Sequence, residues 1–215
     1  MKLYSHFRSS ASYRVRIALA LKGIAYDTVA VPLGKGAQDA PAYRALNPQG
    51  LVPTLVDGDA VLMQSLAIIE YLEETVPQPA LLPSNPADRA HVRALAEIVA
   101  CDIHPLNNLR VRGPALTEFG LDAEQRQAWI EKWIALGFSA FEALVAGDPR
   151  TGRFCYGDAP GLADICLVPQ VVNARSFKVD LRPYPTLARI TEACAALPAF
   201  AAAAPERQPD AVVAA

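Results

Sequence analysis

The chain contains 215 residues, of which 52% are hydrophobic and 20% are charged, and its formal net charge is −2. This composition excludes a disordered chain and a nucleic-acid binder that depends on bulk positive charge, and it provides enough apolar surface for a sizeable core. No run approaches the ~18 apolar residues of a membrane span and no signal peptide precedes the first strand pattern, which predicts a cytoplasmic protein with a small-molecule partner and with neither nucleic acid nor membrane as a partner.

The first half of the chain alternates between strand and helix patterns. In chain order the predicted elements are a strand at 3–7, a helix that ends near 22, a strand at 26–31, a short helix at 39–46, a hairpin of 52–56 and 61–63, and a helix at 65–74. The order β-α-β-α-β-β-α is that of a thioredoxin-like fold, in which the first helix is the crossover of a right-handed βαβ unit. We therefore expect an α/β thioredoxin-like domain at residues 1–78.

The second half of the chain contains helical patterns only. Four prolines interrupt residues 76–86, which predicts a linker. Helical patterns then cover 87–112, 123–146, 162–176 and 184–196, and the tail at 205–215 is predicted to be loose. Residues 87–215 are therefore predicted to form an all-α C-terminal helical domain.

The four cysteines are widely scattered along the chain. They form no C-x-x-C pair and lack the spacing of zinc ligands, so they are interpreted as free thiols and no metal site is predicted.

Polar residues surround the start of the first predicted helix. Ser9, Ser10 and Ser12 lie where the first strand pattern gives way to the helix, and Arg8 is adjacent. Serine at this position is a common helix N-cap. A cation, several hydroxyls and the free N–H groups of a helix start would also stabilise an anion such as a thiolate. The local residues leave both interpretations open.

Two further segments have the same ambiguity. Pro53 opens a strand. A cis peptide bond after Val52, usual in this fold, would leave the backbone of Val52 free to pair with an extended peptide. The alternative interpretation is a proline at a strand edge without a ligand role. Gln64 and Ser65 begin the third helix, where N–H groups and a hydroxyl either receive a carboxylate or only cap the helix.

Taken together, these segments closely resemble the zeta class of glutathione transferases. The matching segments are 4–19, 45–48, 52–55 and 64–72 in the first half, and 102–110, 156–158, 163–164, 167–171 and 177–181 in the second. The resemblance covers nearly the whole chain. It implies the glutathione transferase fold, with the helical domain contributing the substrate pocket, and a homodimer.

The resemblance also implies roles for individual residues. Catalysis is assigned to Arg8, Ser9 and Ser10. Glutathione binding is assigned to Ser9, Ser10, Ala11, Ser12, Gln38, Val52, Pro53, Gln64, Ser65, His104 and Asn108. Binding of the substrate carboxylates is assigned to Arg8, Arg110 and Arg175, because the arginine fork donates two parallel hydrogen bonds to a carboxylate.

The class includes maleylacetoacetate and maleylpyruvate isomerases. The implied reaction is therefore cis-to-trans isomerisation of an unsaturated diketo acid by reversible addition of the glutathione thiolate. Maleylacetoacetate, from tyrosine and phenylalanine breakdown, is the first expected substrate, and maleylpyruvate, from gentisate degradation, is the alternative. A general glutathione transferase or haloacid dehalogenase is a second enzymatic hypothesis. A non-catalytic binding module of the same fold is a hypothesis of another class.

The sequence departs from the class at three positions. Ala11 replaces the cysteine of the usual Ser-Ser-Cys motif, so the reactive sulfur has to come from glutathione. Gly161 stands at the expected N-cap of a later helix, with Asp164 three residues on, and we expect this helix to start in the usual place. Arg175 lies one position before the place where many relatives carry an arginine, about 100° round a helix, which leaves its access to the pocket open.

Overall fold

A four-stranded sheet organises the first half of the chain in this computed structural model. The strands are β1 (Lys2–Ser5), β2 (Asp27–Ala30), β3 (Thr54–Asp57) and β4 (Ala60–Met63). Their order in the sheet is β2-β1-β3-β4, with β1 parallel to β2 and β3 antiparallel to both of its neighbours. The β1-α1-β2 crossover and the β3-β4 hairpin confirm the thioredoxin-like order predicted from the sequence. The structure describes residues 1–214, and for 114–117 and 212–214 the backbone only.

Three helices accompany the sheet. They are α1 (Ser10–Leu21), α2 (Pro41–Leu46) and α3 (Ser65–Thr75). Helix α1 packs against α3, and the apolar side chains of Ile17, Leu19, Ile68 and Leu72 are fully buried. Because only the turn at residues 6–9 separates β1 from α1, and only Gln64 separates β4 from α3, both helix N-termini lie next to strand ends.

The second half of the chain is helical. Its helices are α4 (Pro86–Glu97), α5 (Leu109–Glu118), α6 (Ala123–Ala146), α7 (Leu162–Ser176) and α8 (Pro185–Ala195). Helix α7 is buried on nearly all sides, including Pro169 inside it, and packs against α4. Gly161 is the N-cap of α7, and the Asp164 carboxylate accepts the N–H of Gly161 at 2.9 Å. The helix therefore starts where the sequence predicted.

The helical pattern at 87–112 does not form one continuous helix. Helix α4 ends at Glu97, a π-helical segment follows at Ile98–Ile103, a 3-10 turn at His104–Asn107, and only then does α5 begin. Pro105 lies in the 3-10 turn and accounts for the break there, because proline has no N–H to donate and its ring crowds the carbonyl four residues earlier.

The predicted loose tail at 205–215 was wrong for its described residues, and Ala215 lies outside them. After α9 (Pro198–Ala203), two 3-10 segments cover Pro205–Arg207 and Pro209–Ala214. Gln208 is buried and its Nε2 donates to the carbonyls of Ala202 and Ala204 at 3.0 and 2.9 Å. The segment lacks apolar periodicity, so its sequence pattern gave no sign of order. The order comes from the hydrogen bonds of a buried polar side chain.

The chain divides into two units by its contacts. The first comprises Met1–Leu81 together with the segment that begins at Ala195, and the second comprises Leu82–Cys194. The boundary at Leu81 falls inside the predicted linker, whereas the last segment groups with the first unit rather than with the helices that precede it. Among the described residues, no helix is both long enough and apolar enough to cross a membrane.

Candidate active site

The start of α1 contains the serine cluster. Ser9 is the N-cap residue, with extended backbone, and its Oγ accepts the N–H of Ser12 at 3.2 Å. Ser10 opens the helix and is 9% exposed, and Ala11 is half-buried. The side chain of Ser12 is fully buried, and its hydroxyl has no hydrogen-bond partner among the described residues. The structure thus shows the capping role of Ser9, and a ligand role of the cluster stays a prediction.

Arg8 stands in the turn that precedes this helix. Its side chain is exposed, and its guanidinium lies 5.1 Å from the centroid of the Phe7 ring. No carboxylate of the described residues lies within ion-pair distance of Arg8. A cation beside a helix N-terminus with no carboxylate paired to it is suited to an incoming anion.

The peptide bond between Val52 and Pro53 is cis, as the sequence predicted. The preceding loop is fixed by two donors, the Tyr43 hydroxyl at 2.6 Å and the Asn47 amide at 2.8 Å, which both bond the carbonyl of Leu51. Within the described chain, the N–H and C=O groups of Val52 make no hydrogen bond. Because main-chain polar groups require partners, this backbone is suited to pairing with an extended peptide.

The start of α3 differs from an ordinary helix start. Its N-cap residue, Gln64, has φ +70° and makes no capping hydrogen bond through its side chain. Instead its Nε2 donates to Oε1 of Gln49 at 2.7 Å. A residue other than glycine at positive φ is strained, and such strain concentrates at functional sites.

Ser65, the first residue of α3, is held by a residue that the sequence did not assign. Arg14, only 1% exposed, donates from Nη1 to the Ser65 Oγ at 3.2 Å. The guanidinium therefore brings a positive charge to a buried hydroxyl at a helix N-terminus, an arrangement that favours a carboxylate ligand. The signal in the sequence was the presence of Arg14 and Arg16 within an otherwise apolar helix pattern.

A second buried arginine holds the turn before α1. Arg16 donates to the Ser5 hydroxyl at 3.1 Å and to the carbonyl of Phe7 at 3.1 Å. Burial lowers the pKa of Arg16 to about 10, and the carboxylate of Asp210 opposes this shift. Arg16 remains charged at neutral pH, so its hydrogen bonds to the turn are charge-assisted.

Gln38 lies in a 3-10 turn at Ala37–Asp39. Its Nε2 donates to the Asp39 carboxylate at 3.0 Å, and its Oε1 is buried and without a partner among the described residues. An acceptor without a donor is compatible with ligand binding, and the role of Gln38 stays a prediction.

The remaining predicted residues belong to the second unit. His104 begins the 3-10 turn, and Asn108 is the N-cap of α5, with its Oδ1 accepting the N–H of Arg110 at 3.1 Å. Arg110 therefore lies at the beginning of a helix and not, as the predicted long helix required, near the end of one. A helix dipole disfavours a cation there, so the dipole does not explain this arginine.

Arg175 lies in the last turn of α7, and its side chain is exposed. A cation is favourable at this end of a helix without any ligand. The structure provides no contact that assigns Arg175 to a substrate, and its role stays a prediction.

Comparisons with known proteins extend these observations. The family model of the glutathione S-transferase N-terminal domain matches residues 8–75. The chain is 52% identical over 213 residues to maleylacetoacetate isomerase of Pseudomonas aeruginosa, and the match covers 98% of each chain. It is similar to the holo structure of a maleylpyruvate isomerase described as a bacterial glutathione S-transferase of the zeta class, with 54% identity, a TM-score of 0.96 and coverage of 98% and 99% of the two chains. It is also similar to maleylacetoacetate isomerase of Methylobacterium extorquens AM1 solved with malonate and glutathione, with 47% identity, a TM-score of 0.95 and the same coverage.

Proposed function

The chain belongs to the zeta class of the glutathione S-transferase family, and we propose that it is a glutathione-dependent cis-trans isomerase of maleylacetoacetate. The observation that carries the proposal is the backbone of Val52, which has no hydrogen-bond partner among the described residues and follows a fixed loop. The full length of the chain is about half identical to isomerases of this class. Main-chain groups of this kind can form hydrogen bonds with an extended, peptide-like cofactor.

Glutathione is the cofactor, and residues of the first unit are suited to hold it. The backbone of Val52 pairs with its peptide unit. Ser65 and the N-terminus of α3 receive a carboxylate, with Arg14 supporting the Ser65 hydroxyl from the interior. Because a helix N-terminus and a cation both favour negative charge, Ser9, Ser10 and Arg8 at the start of α1 receive the sulfur and lower the pKa of the thiol. When bound, glutathione supplies a thiolate that adds reversibly to the substrate double bond.

The protein's own residues then have two tasks. They bind the terminal carboxylates of the substrate, for which we propose Arg8 and Arg110, because an arginine matches a carboxylate with two parallel hydrogen bonds. They also stabilise the negative charge that develops on the substrate carbonyl oxygens, for which positively charged groups and backbone N–H groups are suited. No protein thiol is required, in agreement with alanine at position 11.

Maleylpyruvate is the second candidate substrate, since a relative of 54% identity is named for it. The two acids differ in chain length, and such a difference is worth only about 1–3 kcal/mol per methylene in a pocket.

The test follows the ultraviolet absorbance of each acid with and without glutathione. We expect isomerisation only with glutathione and a higher kcat/KM for maleylacetoacetate; equal rates without the thiol contradict the proposal. A haloacid assay in parallel tests the dehalogenase alternative, and failure to bind glutathione would favour a binding module.

Two arginine variants test the substrate contacts. Arg8→Ala and Arg110→Ala are expected to lower kcat/KM by about tenfold or more each, because a charge-assisted hydrogen bond contributes about 1.5–3 kcal/mol. Arg175→Ala tests the third arginine predicted to bind the substrate, which lies at an exposed helix end. Full kcat/KM in either of the first two variants removes that arginine from the carboxylate role.

We further propose that the protein is a cytoplasmic homodimer, as the class resemblance implies. Light scattering of the purified chain tests the oligomeric state, and fractionation of the source cells tests the compartment. A monomeric mass at working concentration contradicts the first part.

A further inference from the structure

The turn between β1 and α1, residues 6–9, is held by hydrogen bonds to its carbonyl groups. The Ser9 N–H donates to the carbonyl of His6 at 3.0 Å. Arg16 donates from Nη2 to the carbonyl of Phe7 at 3.1 Å and from Nη1 to that of His6 at 3.4 Å. These bonds engage the carbonyls of His6 and Phe7 and, among the N–H groups of the turn, that of Ser9.

A residue of the carboxy-terminal segment engages a donor. The N–H of Phe7 donates to Oδ2 of Asp210 at 2.9 Å, although the two residues lie 203 positions apart in the chain. The same oxygen lies 3.9 Å from Nδ1 of His6, and the Asp210 side chain is 13% exposed. Burial lowers the pKa of His6, and the nearby Asp210 carboxylate opposes this shift.

Asp210 is itself fixed by its own segment. Two residues earlier, Gln208 is buried and donates to the carbonyls of Ala202 and Ala204. Arg16 donates from Nε to the carbonyl of Ala203 at 2.9 Å. The same guanidinium therefore bonds both the carboxy-terminal segment and the turn, and the carboxylate of Asp210 stabilises its charge.

The position of Arg8 and Ser9 depends on the residue that Asp210 holds. Phe7 is 8% exposed, and its ring is the surface over which the exposed Arg8 guanidinium lies at 5.1 Å. Ser9, two residues on, caps α1. A rotation of the Phe7 peptide would move Arg8 and change the approach of the chain to the helix start.

We propose that Asp210 is a positioning residue for glutathione binding, holding the Phe7 amide so that Arg8 and Ser9 are placed for the sulfur. The inference deepens the proposed function and rests on it. It gives the carboxy-terminal segment a role in the site of the first unit, to which its contacts assign it.

The test compares three variants by calorimetric titration with glutathione and by the ultraviolet absorbance of the bound thiolate across pH. Asp210→Ala removes the acceptor of the Phe7 amide, and loss of this hydrogen bond to a charged group is expected to weaken glutathione binding by about tenfold. The same variant is expected to raise the pH at which the bound thiol ionises, because Arg8 and Ser9 are no longer held in place. Asp210→Asn keeps an acceptor without the charge and is expected to fall between this variant and the wild type. Glu206→Ala removes an exposed carboxylate of the same segment and is expected to bind as the wild type does.

Wild-type affinity and thiol pKa in Asp210→Ala overturn the proposal, as does an equal loss in Glu206→Ala. If Asp210→Ala does not fold, Asp210→Asn decides, and unchanged affinity there overturns it. A role confined to stability would lower the melting temperature while the thiol pKa stayed constant. Because these readouts need no diketo acid, a wild type that binds glutathione but isomerises neither acid contradicts the proposed function and not this one.

Discussion

The two helix starts of the first unit are built differently. Helix α1 is capped by its own serine, Ser9, in the usual extended conformation. Helix α3 begins after Gln64 at positive φ, without a side-chain cap, and its first serine is instead bonded by the buried Arg14. Both ends offer N–H groups to an anion. The serine cap of α1 is therefore explained by helix stability. The positive φ of Gln64 and the buried charge of Arg14 at the start of α3 are not required for helix stability, and they point to a ligand.

The largest expected effect concerns Arg14. Methionine is unbranched and fills irregular gaps in a core, so Arg14→Met removes the guanidinium while keeping much of the packing of the side chain. We expect Arg14→Met to weaken glutathione binding by about tenfold to a hundredfold through loss of a charge-assisted bond at Ser65. Calorimetry measures the affinity, and Lys35→Met, at an exposed site of the same unit, is the control. Equal glutathione affinity in the two variants would show that the charge of Arg14 does not contribute to binding at the start of α3.

Ser65→Ala sharpens the comparison by removing the hydroxyl itself. The variant leaves the backbone N–H groups in place, so we expect a loss of about tenfold in glutathione affinity. Thermal unfolding measured in parallel is expected to change little, because Gln64 and not Ser65 is the N-cap residue. A large fall in melting temperature with unchanged affinity would reverse the assignment.

Ser9 allows capping to be separated from ligand binding. Ser9→Ala is expected to lower the free energy of unfolding by about 1 kcal/mol, since the N-cap bond is lost. Ser9→Asp restores an N-cap acceptor and is expected to recover this stability, but its negative charge opposes a thiolate and weakens glutathione binding. Denaturant unfolding and calorimetry measure the two effects. If the aspartate variant recovers both, the sulfur does not lie beside Ser9.

Gln64→Gly tests the strain at the start of α3. Glycine adopts positive φ without a steric penalty, so we expect the free energy of unfolding to rise by about 1 kcal/mol. The hydrogen bond to Gln49 is lost at the same time, and glutathione affinity is expected to fall. A variant of lower stability would show that the native backbone is not strained.

The smallest expected effect is that of Ala11→Cys. This change introduces a protein thiol at the start of α1, and we expect kcat to change by less than about twofold, because the attacking sulfur belongs to the cofactor. Steady-state kinetics with and without prior alkylation of the new cysteine provide the measurement. A large gain in rate would show that a protein thiolate takes part.

Local patterns predicted much of the first unit. The strand and helix order, the hairpin and the serine N-cap follow from periodicity and from residue types whose preferences act over a few positions. The cis bond before Pro53 was expected from the fold that this order indicates. Apolar periodicity alone was insufficient in two places. Pro105 interrupts a helix that apolar periodicity continues through. Residues 205–211 are held by hydrogen bonds of the buried Gln208 amide, which apolar periodicity does not reveal.

The sequence by itself determined the family, the fold class and the candidate glutathione residues, because these depend on contiguous motifs. Only the tertiary structure joined Arg14 to Ser65 and Asp210 to Phe7. Each of these bonds links a charged side chain to a polar group more than fifty positions away in sequence. No local spacing predicts such a partner, since folding alone brings the two groups together, and in both cases the distant charge acts on the first turn of a helix or on the turn that leads into it.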